Sequence, residues 1–300
     1  MYVKPVRIAS VSDLHVDFSE NRRALVGLAT HIHAGSPDLV VVAGDVSHVD
    51  DDIRRVLRTF KVVAPEVAYI PGNHDLWTVR EDLAKDPEHD TWLRYREGLK
   101  VLTEAEGCHY LPAGPLELGR VGVAGTTGWY DASLLRPQLR GELDDEALGA
   151  KKLGNAMWAD SKYTLFRDES GAVMSDAAVA RQMELELEAQ LEDLDHNPDI
   201  EDVVAVTHVL GFREALGPPK GMPWDYFDAF MGTTELGRVV RRGKKVRAAV
   251  YGHTHRPGRF EVDGIRVHGT PLGYPKERKN LPADALPARA VGWIDLPPTE

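Results

Sequence analysis

Apolar residues recur along this chain in two rhythms. Short unbroken runs at 7–12 (Arg-Ile-Ala-Ser-Val-Ser), 38–43 (Asp-Leu-Val-Val-Val-Ala) and 67–70 predict strands, and the second is apolar enough to be covered on both faces. Between them, 21–33 carries Leu25, Leu28 and Ile32 at helical spacing and breaks near Gly35-Ser36-Pro37; 52–60 also reads as a helix. Strand and helix alternate, as in an α/β fold. Further runs predict strands at 203–207, 246–252 and 290–296, and hairpins over 116–126 and 259–269 with turns at Gly119-Arg120 and Asp263-Gly264.

The stretch from 127 to about 198 departs from this rhythm. It is rich in charge and helix formers, and 175–195 is its clearest helix, with Ser175 as N-cap and Met183, Leu187, Leu191 and Leu194 on one stripe. We read 1–300 as one domain and 127–198 as a helical insertion within it. Two readings of the insertion stand side by side: a cap over a cleft, or a helical layer outside the sheet. The tail 281–298 is Pro/Ala-rich and contains the strand 290–296.

Polar residues stand out by where they fall. Asp13-Leu14-His15, Gly44-Asp45, Gly72-Asn73-His74-Asp75, Thr207-His208 and Gly252-His253-Thr254-His255 each sit at the end of a predicted strand. Open α/β sheets bind ligands outside the carboxyl ends of their strands. Each motif alone is weak; in this order they supply carboxylate, amide and imidazole donors around a common crevice. Asp13, His15, Asp45, Asn73, His208, His253 and His255 are the candidate metal ligands. Their mixture of oxygen and nitrogen suits Mn, Fe, Zn or Co better than Ca or Mg. Two such cations roughly 3.5–4 Å apart clamp the attacking and leaving oxygens of a displacement at phosphorus.

Asp45, alone on its strand end, is the candidate to bridge the ions, and a bridging hydroxide is the expected nucleophile. His74 follows the Asn73 ligand and falls at the rim, where it could protonate or stabilise the leaving group. Asp75 could hydrogen-bond the other nitrogen of His74 and fix its tautomer. Arg256 is a candidate phosphate-binding group or a structural ion pair. Trp129 and Tyr130 could stack on a flat leaving group or fill the core of a cap, and Tyr274, in the loop after 269, is a further candidate substrate contact.

Composition narrows the partners. A formal net charge of -11 argues against nucleic acid or an anionic membrane as the main one. The single cysteine, Cys108, permits no intrachain disulfide. The N-terminal residues carry no apolar run of signal-peptide type and no stretch is long enough to span a bilayer, so a cytoplasmic location is expected.

The five motifs, from about residue 7 to 274 and less the insertion, resemble those of the calcineurin-like metallophosphoesterase superfamily. The resemblance implies a two-sheet αββα sandwich. It implies one metal on Asp13, His15, Asp45 and His255, a second on Asp45, Asn73, His208 and His253, and His74 as the catalytic histidine. It also sets limits. Purple acid phosphatases place a tyrosine where this chain has His48. Protein Ser/Thr phosphatases have a Gly-Asp-x-Val-Asp-Arg-Gly run and a Glu where this chain has Asp75. The expectation is a metal-dependent phosphohydrolase of a small-molecule phosphate ester, a monoester by preference. A phosphodiesterase on cyclic nucleotides or glycerophosphodiesters is the alternative. A non-catalytic scaffold is disfavoured, because every ligand position and His74 are intact.

Overall fold

Consecutive residues of single strands face different layers, which fixes the architecture. The computed structural model describes residues 5–86, 88–143, 145–282 and 284–297. The two ends of the 1–300 domain, residue 144 of the 127–198 stretch and residues 283 and 298 of the Pro/Ala-rich tail lie outside them. The strands are Val6–Val11 (β1), Leu39–Ala43 (β2), Glu66–Ile70 (β3), His109–Tyr110 (β4), Leu116–Leu118 (β5), Val121–Thr126 (β6), Lys152–Leu153 (β7), Ala156–Met157 (β8), Asp202–Thr207 (β9), Val246–Tyr251 (β10), Gly258–Val262 (β11), Ile265–Gly269 (β12) and Gly292–Leu296 (β13). One sheet runs β13-β1-β2-β3-β4, the other β11-β12-β10-β9-β6-β5, and β7-β8 is a small separate hairpin.

Leu39, Val41 and Ala43 of β2 pack with Val204 and Val206 of β9 and Ala248 and Val250 of β10, which forms the seam between the sheets. The intervening Val40 and Val42 point outward onto a second cluster with Leu25, Leu28, Ile53 and Phe60. These belong to the helices Ser19–Gly35 (α1) and Asp50–Val63 (α2). On the far side, Val203 and Ala205 meet Leu187, Leu191, Leu236 and Val240 of the helices Asp176–His196 (α3) and Thr234–Arg242 (α4). The result is an αββα sandwich with both faces of both sheets covered, which is why the central strands read as unbroken apolar runs.

β1, β2 and β3 pair in parallel, as do β6, β9 and β10. Within each sheet the carboxyl ends of these strands therefore lie together. Backbone bonds from Leu272 N to the Ser12 carbonyl (2.9 Å) and from Asp13 N to the Gly44 carbonyl (2.9 Å) tie the loops beyond these ends to one another.

The region after β6 divides in two. α3, capped by Ser175, whose hydroxyl accepts from Ala178 N, packs outside the second sheet. The residues around β8 and the short helix Asp160–Tyr163 instead border the crevice. The sequence reading assigns nothing to α4, although Leu236, Val239 and Val240 lie about one helical turn apart and the Thr233 hydroxyl accepts from Glu235 N at its start. Nine residues between loops give too short a window for that period to stand out. No helix of the described residues is long and apolar enough to cross a membrane.

Candidate metal centre

Each candidate ligand occupies the turn just past a strand, and those turns are tight. Asp13, His15, Asp45, His253 and His255 all have left-handed backbones, with φ of 52°, 40°, 54°, 73° and 52°. For a side-chain-bearing residue this costs on the order of 1–3 kcal/mol each and persists only where the surroundings enforce it. Here they do: His15 N donates to the Asp45 carbonyl (3.0 Å), His253 N to Asp13 Oδ1 (2.8 Å) and His74 N to Asp45 Oδ1 (2.9 Å). The motif glycines have a steric reason. A Cβ on Gly72 would overlap the Asp45 carboxylate, and one on Gly252 would lie 2.9 Å from both Asp13 Oδ2 and His208 Nδ1.

Two groups of donors converge. Asp13, His15, Asp45 and His255 form one, and Asp45, His208 and His253 the other; in each group one ligand atom per residue lies within 4.8 Å of the rest. Asp45 belongs to both. Its Oδ2 is 3.7 Å from His15 Nε2, and its Oδ1 is 3.3 Å from His208 Nε2. The Asn73 amide oxygen lies 3.2 Å from His208 Nε2. His255 Nε2 is 3.5 Å from Asp13 Oδ1 and 2.9 Å from His15 Nε2.

The far nitrogens of the imidazoles are committed elsewhere, so the near ones are left to face inward. His208 Nδ1 donates to the Ala43 carbonyl (2.9 Å), His253 Nε2 to the Phe230 carbonyl (3.1 Å) and His255 Nδ1 to Glu277 Oε2 (2.8 Å). Such outer partners fix tautomer and ring orientation in metal sites.

The residues present fit bound cations. Asp13 Oδ2 is buried without a hydrogen-bond partner. The Nε2 atoms of His15 and His255 face each other at hydrogen-bond distance, which a shared cation between their lone pairs would satisfy as well as a proton. Charges in the cluster are strongly perturbed. Burial disfavours a charge on His208, but Asp45 and Asp13 outweigh it and lift this histidine to about 9. Burial and the neighbouring His208 push His253 down to about 4. Burial raises Asp45, yet His208 and His74 more than compensate and hold it well below the usual carboxylate range.

His74 lies at the rim, with Nε2 3.9 Å from Asp45 Oδ2 and its ring stacked on Trp77. The expected partnership with Asp75 is not formed. Asp75 is fully buried, and its carboxylate accepts from Val46 N, Ser47 N and Gly72 N at 2.8 Å each. It ties the Asp45 turn to the Gly72 turn, and burial together with Asp45 lifts it to about 7.

Trp129 and Tyr130 are also corrected. Both are buried and stacked on each other; Trp129 Nε1 donates to Asp176 Oδ1 (2.8 Å) and Tyr130 Oη to Asp160 Oδ2 (3.1 Å). Neither lines the two cavities beside the donor groups. Tyr274 does line them, with its ring 4.5 Å from those of His15 and His255. Arg256 borders the same crevice, and its Nη1 donates to the Leu216 carbonyl at 3.3 Å.

Three contributors escape the sequence reading: Glu277 behind His255, Trp77 against His74, and Asp160, which accepts from the Asn73 amide (2.9 Å). None belongs to a motif. Trp77 falls three residues after His74, near enough to have been suspected; the other two reach the site only through folding.

Comparison with known proteins agrees with this geometry. The model of the calcineurin-like phosphoesterase family matches residues 6–145. The [acyl-carrier-protein] phosphodiesterase PptH of Mycobacterium tuberculosis is 26% identical over 297 residues, 95% of this chain and 86% of that protein. The crystal structure of the phosphopantetheinyl hydrolase PptH from the same organism superposes with a TM-score of 0.72 at 22% identity, covering 97% of this chain and 96% of that one, and so shares the fold. The family match takes in Asp13, His15, Asp45, Asn73 and His74, and the fold returns the later histidines to the same crevice: over residues 6–145 the chain is similar to the calcineurin-like phosphoesterases.

Proposed function

We propose that this protein is a dinuclear metal-dependent phosphodiesterase, and that its substrate is a phosphodiester with two sizeable arms. The observation that carries this reading is a pair of cavities meeting at His74. One, about 810 Å³, is bordered by Phe18, Trp77, Val79, Tyr163 and Tyr274. The other, about 430 Å³, contains Asp45, Asn73, His253 and His255 and extends past Trp158, Trp224, Phe227 and Arg256. His74, Trp77 and Tyr274 line both. A phosphorus atom held beside Asp45 could send one substituent into each cavity. A small monoester would leave one of them empty.

In this reading Asp13, His15, Asp45 and His255 hold one cation, and Asp45, Asn73, His208 and His253 the other. The cations supply an activated water and neutralise charge on the phosphoryl oxygens. His74, held against Trp77, donates a proton to the leaving oxygen or stabilises its charge. Arg256 and Tyr274 contact the substrate. The names of the 26%-identical acyl-carrier-protein phosphodiesterase and of the phosphopantetheinyl hydrolase structure together suggest a specific diester, the phosphopantetheinyl group of a carrier protein, with the extended arm in the larger, aromatic cavity.

The test is parallel hydrolysis of p-nitrophenyl phosphate, bis-p-nitrophenyl phosphate and a phosphopantetheinylated carrier protein by metal-stripped protein reloaded with Mn, with Asp45→Asn as control. Faster diester turnover, and a mass loss from the carrier protein that the control abolishes, supports the proposal. Faster monoester turnover restores the expectation of a phosphomonoesterase, between which and a diesterase the motifs do not choose.

A further inference from the structure

The most heavily hydrogen-bonded side chain near the metal centre is not one of the candidate ligands. Asp160 is fully buried and opens the short helix Asp160–Tyr163, in the stretch between β6 and β9. Its carboxylate accepts four bonds: on Oδ1 from Asn73 Nδ2 (2.9 Å) and Trp77 Nε1 (2.7 Å), on Oδ2 from Trp158 Nε1 (2.8 Å) and Tyr130 Oη (3.1 Å). An ionised carboxylate offers about four acceptor positions, so Asp160 is saturated. All four donors are neutral. Burying a charge among neutral dipoles is costly, and packing alone gives no reason for it.

What the four bonds accomplish does. An asparagine amide has two ends of similar shape and opposite character, and only the oxygen can bind a cation. By holding Nδ2, Asp160 leaves the Asn73 oxygen facing His208, within the second donor group. By holding the indole of Trp77, it also keeps that ring stacked on His74, with centroids 3.6 Å apart. We propose that Asp160 is the positioning residue of this site, aiming the Asn73 oxygen at the second cation and, through Trp77, the His74 ring at the substrate. This rests on the dinuclear reading above. It also gives part of the 127–198 stretch a role in assembling the centre.

Asp160→Asn tests it, since asparagine keeps the shape but turns an N–H₂ toward at least one donor. Wild type and variant are stripped, titrated with Mn, and followed by metal analysis and electron paramagnetic resonance. The expected result is a 10–100-fold loss of affinity at one site only, with the spin-coupled two-ion signal replaced by that of an isolated ion. Trp77→Phe removes one donor and leaves the Asn73 bond; it should retain both ions, with kcat lowered and KM little changed.

A coupled pair with wild-type affinity in folded Asp160→Asn overturns the proposal. If that variant does not fold, Trp77→Phe decides, and an unchanged kcat overturns it. No coupled pair in the wild-type protein overturns the dinuclear reading and this proposal with it, whereas a coupled pair in both proteins removes only the proposal.

Discussion

The imidazole of His74 lies on the indole of Trp77, with ring centroids 3.6 Å apart and planes inclined by 25°. Tyr163 also stacks on that indole, with centroids 4.8 Å apart. His74 is thus a ring held at the end of a short aromatic stack, outside the two donor groups. His74→Ala should therefore lower kcat by about 10²–10⁴-fold and leave the metal content unchanged. Loss of metal in this variant would make His74 part of the ligand set.

Glu277 stands behind His255 and also accepts from Tyr274 N (2.9 Å). Removing it frees the imidazole to rotate and leaves Nδ1 without its acceptor. Glu277→Ala is expected to weaken metal affinity by about 10–100-fold at the site shared by His15 and His255, with Glu277→Gln intermediate. Isothermal titration of stripped protein with Mn reads this directly; equal affinities in all three proteins would remove Glu277 from the site.

The steric role of Gly72 gives a sharp comparison. A methyl group there meets the Asp45 carboxylate, whereas Gly171, with φ of 84°, has nothing within 4 Å of an added Cβ. Gly72→Ala should abolish binding of the metal pair and lower Tm by several degrees. Gly171→Ala should show only the cost of a strained backbone, on the order of 1 kcal/mol, with normal metal content.

Acid should destabilise the fold partly through a histidine outside the site. His268 lies on β12, where burial, then Arg259 and Arg266, push it down from 6.5 to about 4. Between these values an unfolded chain takes up a proton that the folded one refuses, so stability falls as pH drops from about 6.5 toward 4 and is unaffected above. Its buried Nδ1 has no partner to be lost on substitution. His268→Gln should flatten this part of the pH dependence, as read from urea midpoints at pH 7.5 and 5.

Much of the candidate centre was legible in the chain because the fold gathers its donor residues where strands end. The runs at 38–43 and 203–207 mark β2 and β9 almost to the residue, and the polar residues that follow them are Asp45 and His208. What was not legible acts across distance. Asp160 bonds to Asn73 across 87 positions of sequence, and nothing in Trp-Ala-Asp-Ser-Lys announces a partner so remote. Asp75 was misread for the opposite reason. Adjacent to His74 in sequence, it points away from it, because the turn needs an acceptor for the amides of Val46, Ser47 and Gly72.

The left-handed backbones of Asp13, His15, Asp45, His253 and His255 have a consequence for how such a protein changes over time. At each of these positions glycine would relax the chain, and the side chain there is one the proposed chemistry needs. A lineage released from catalysis would gain stability by drifting toward glycine or asparagine at these turns. On the proposed function, the candidate ligands would thus be kept by selection for turnover, against the preference of the fold.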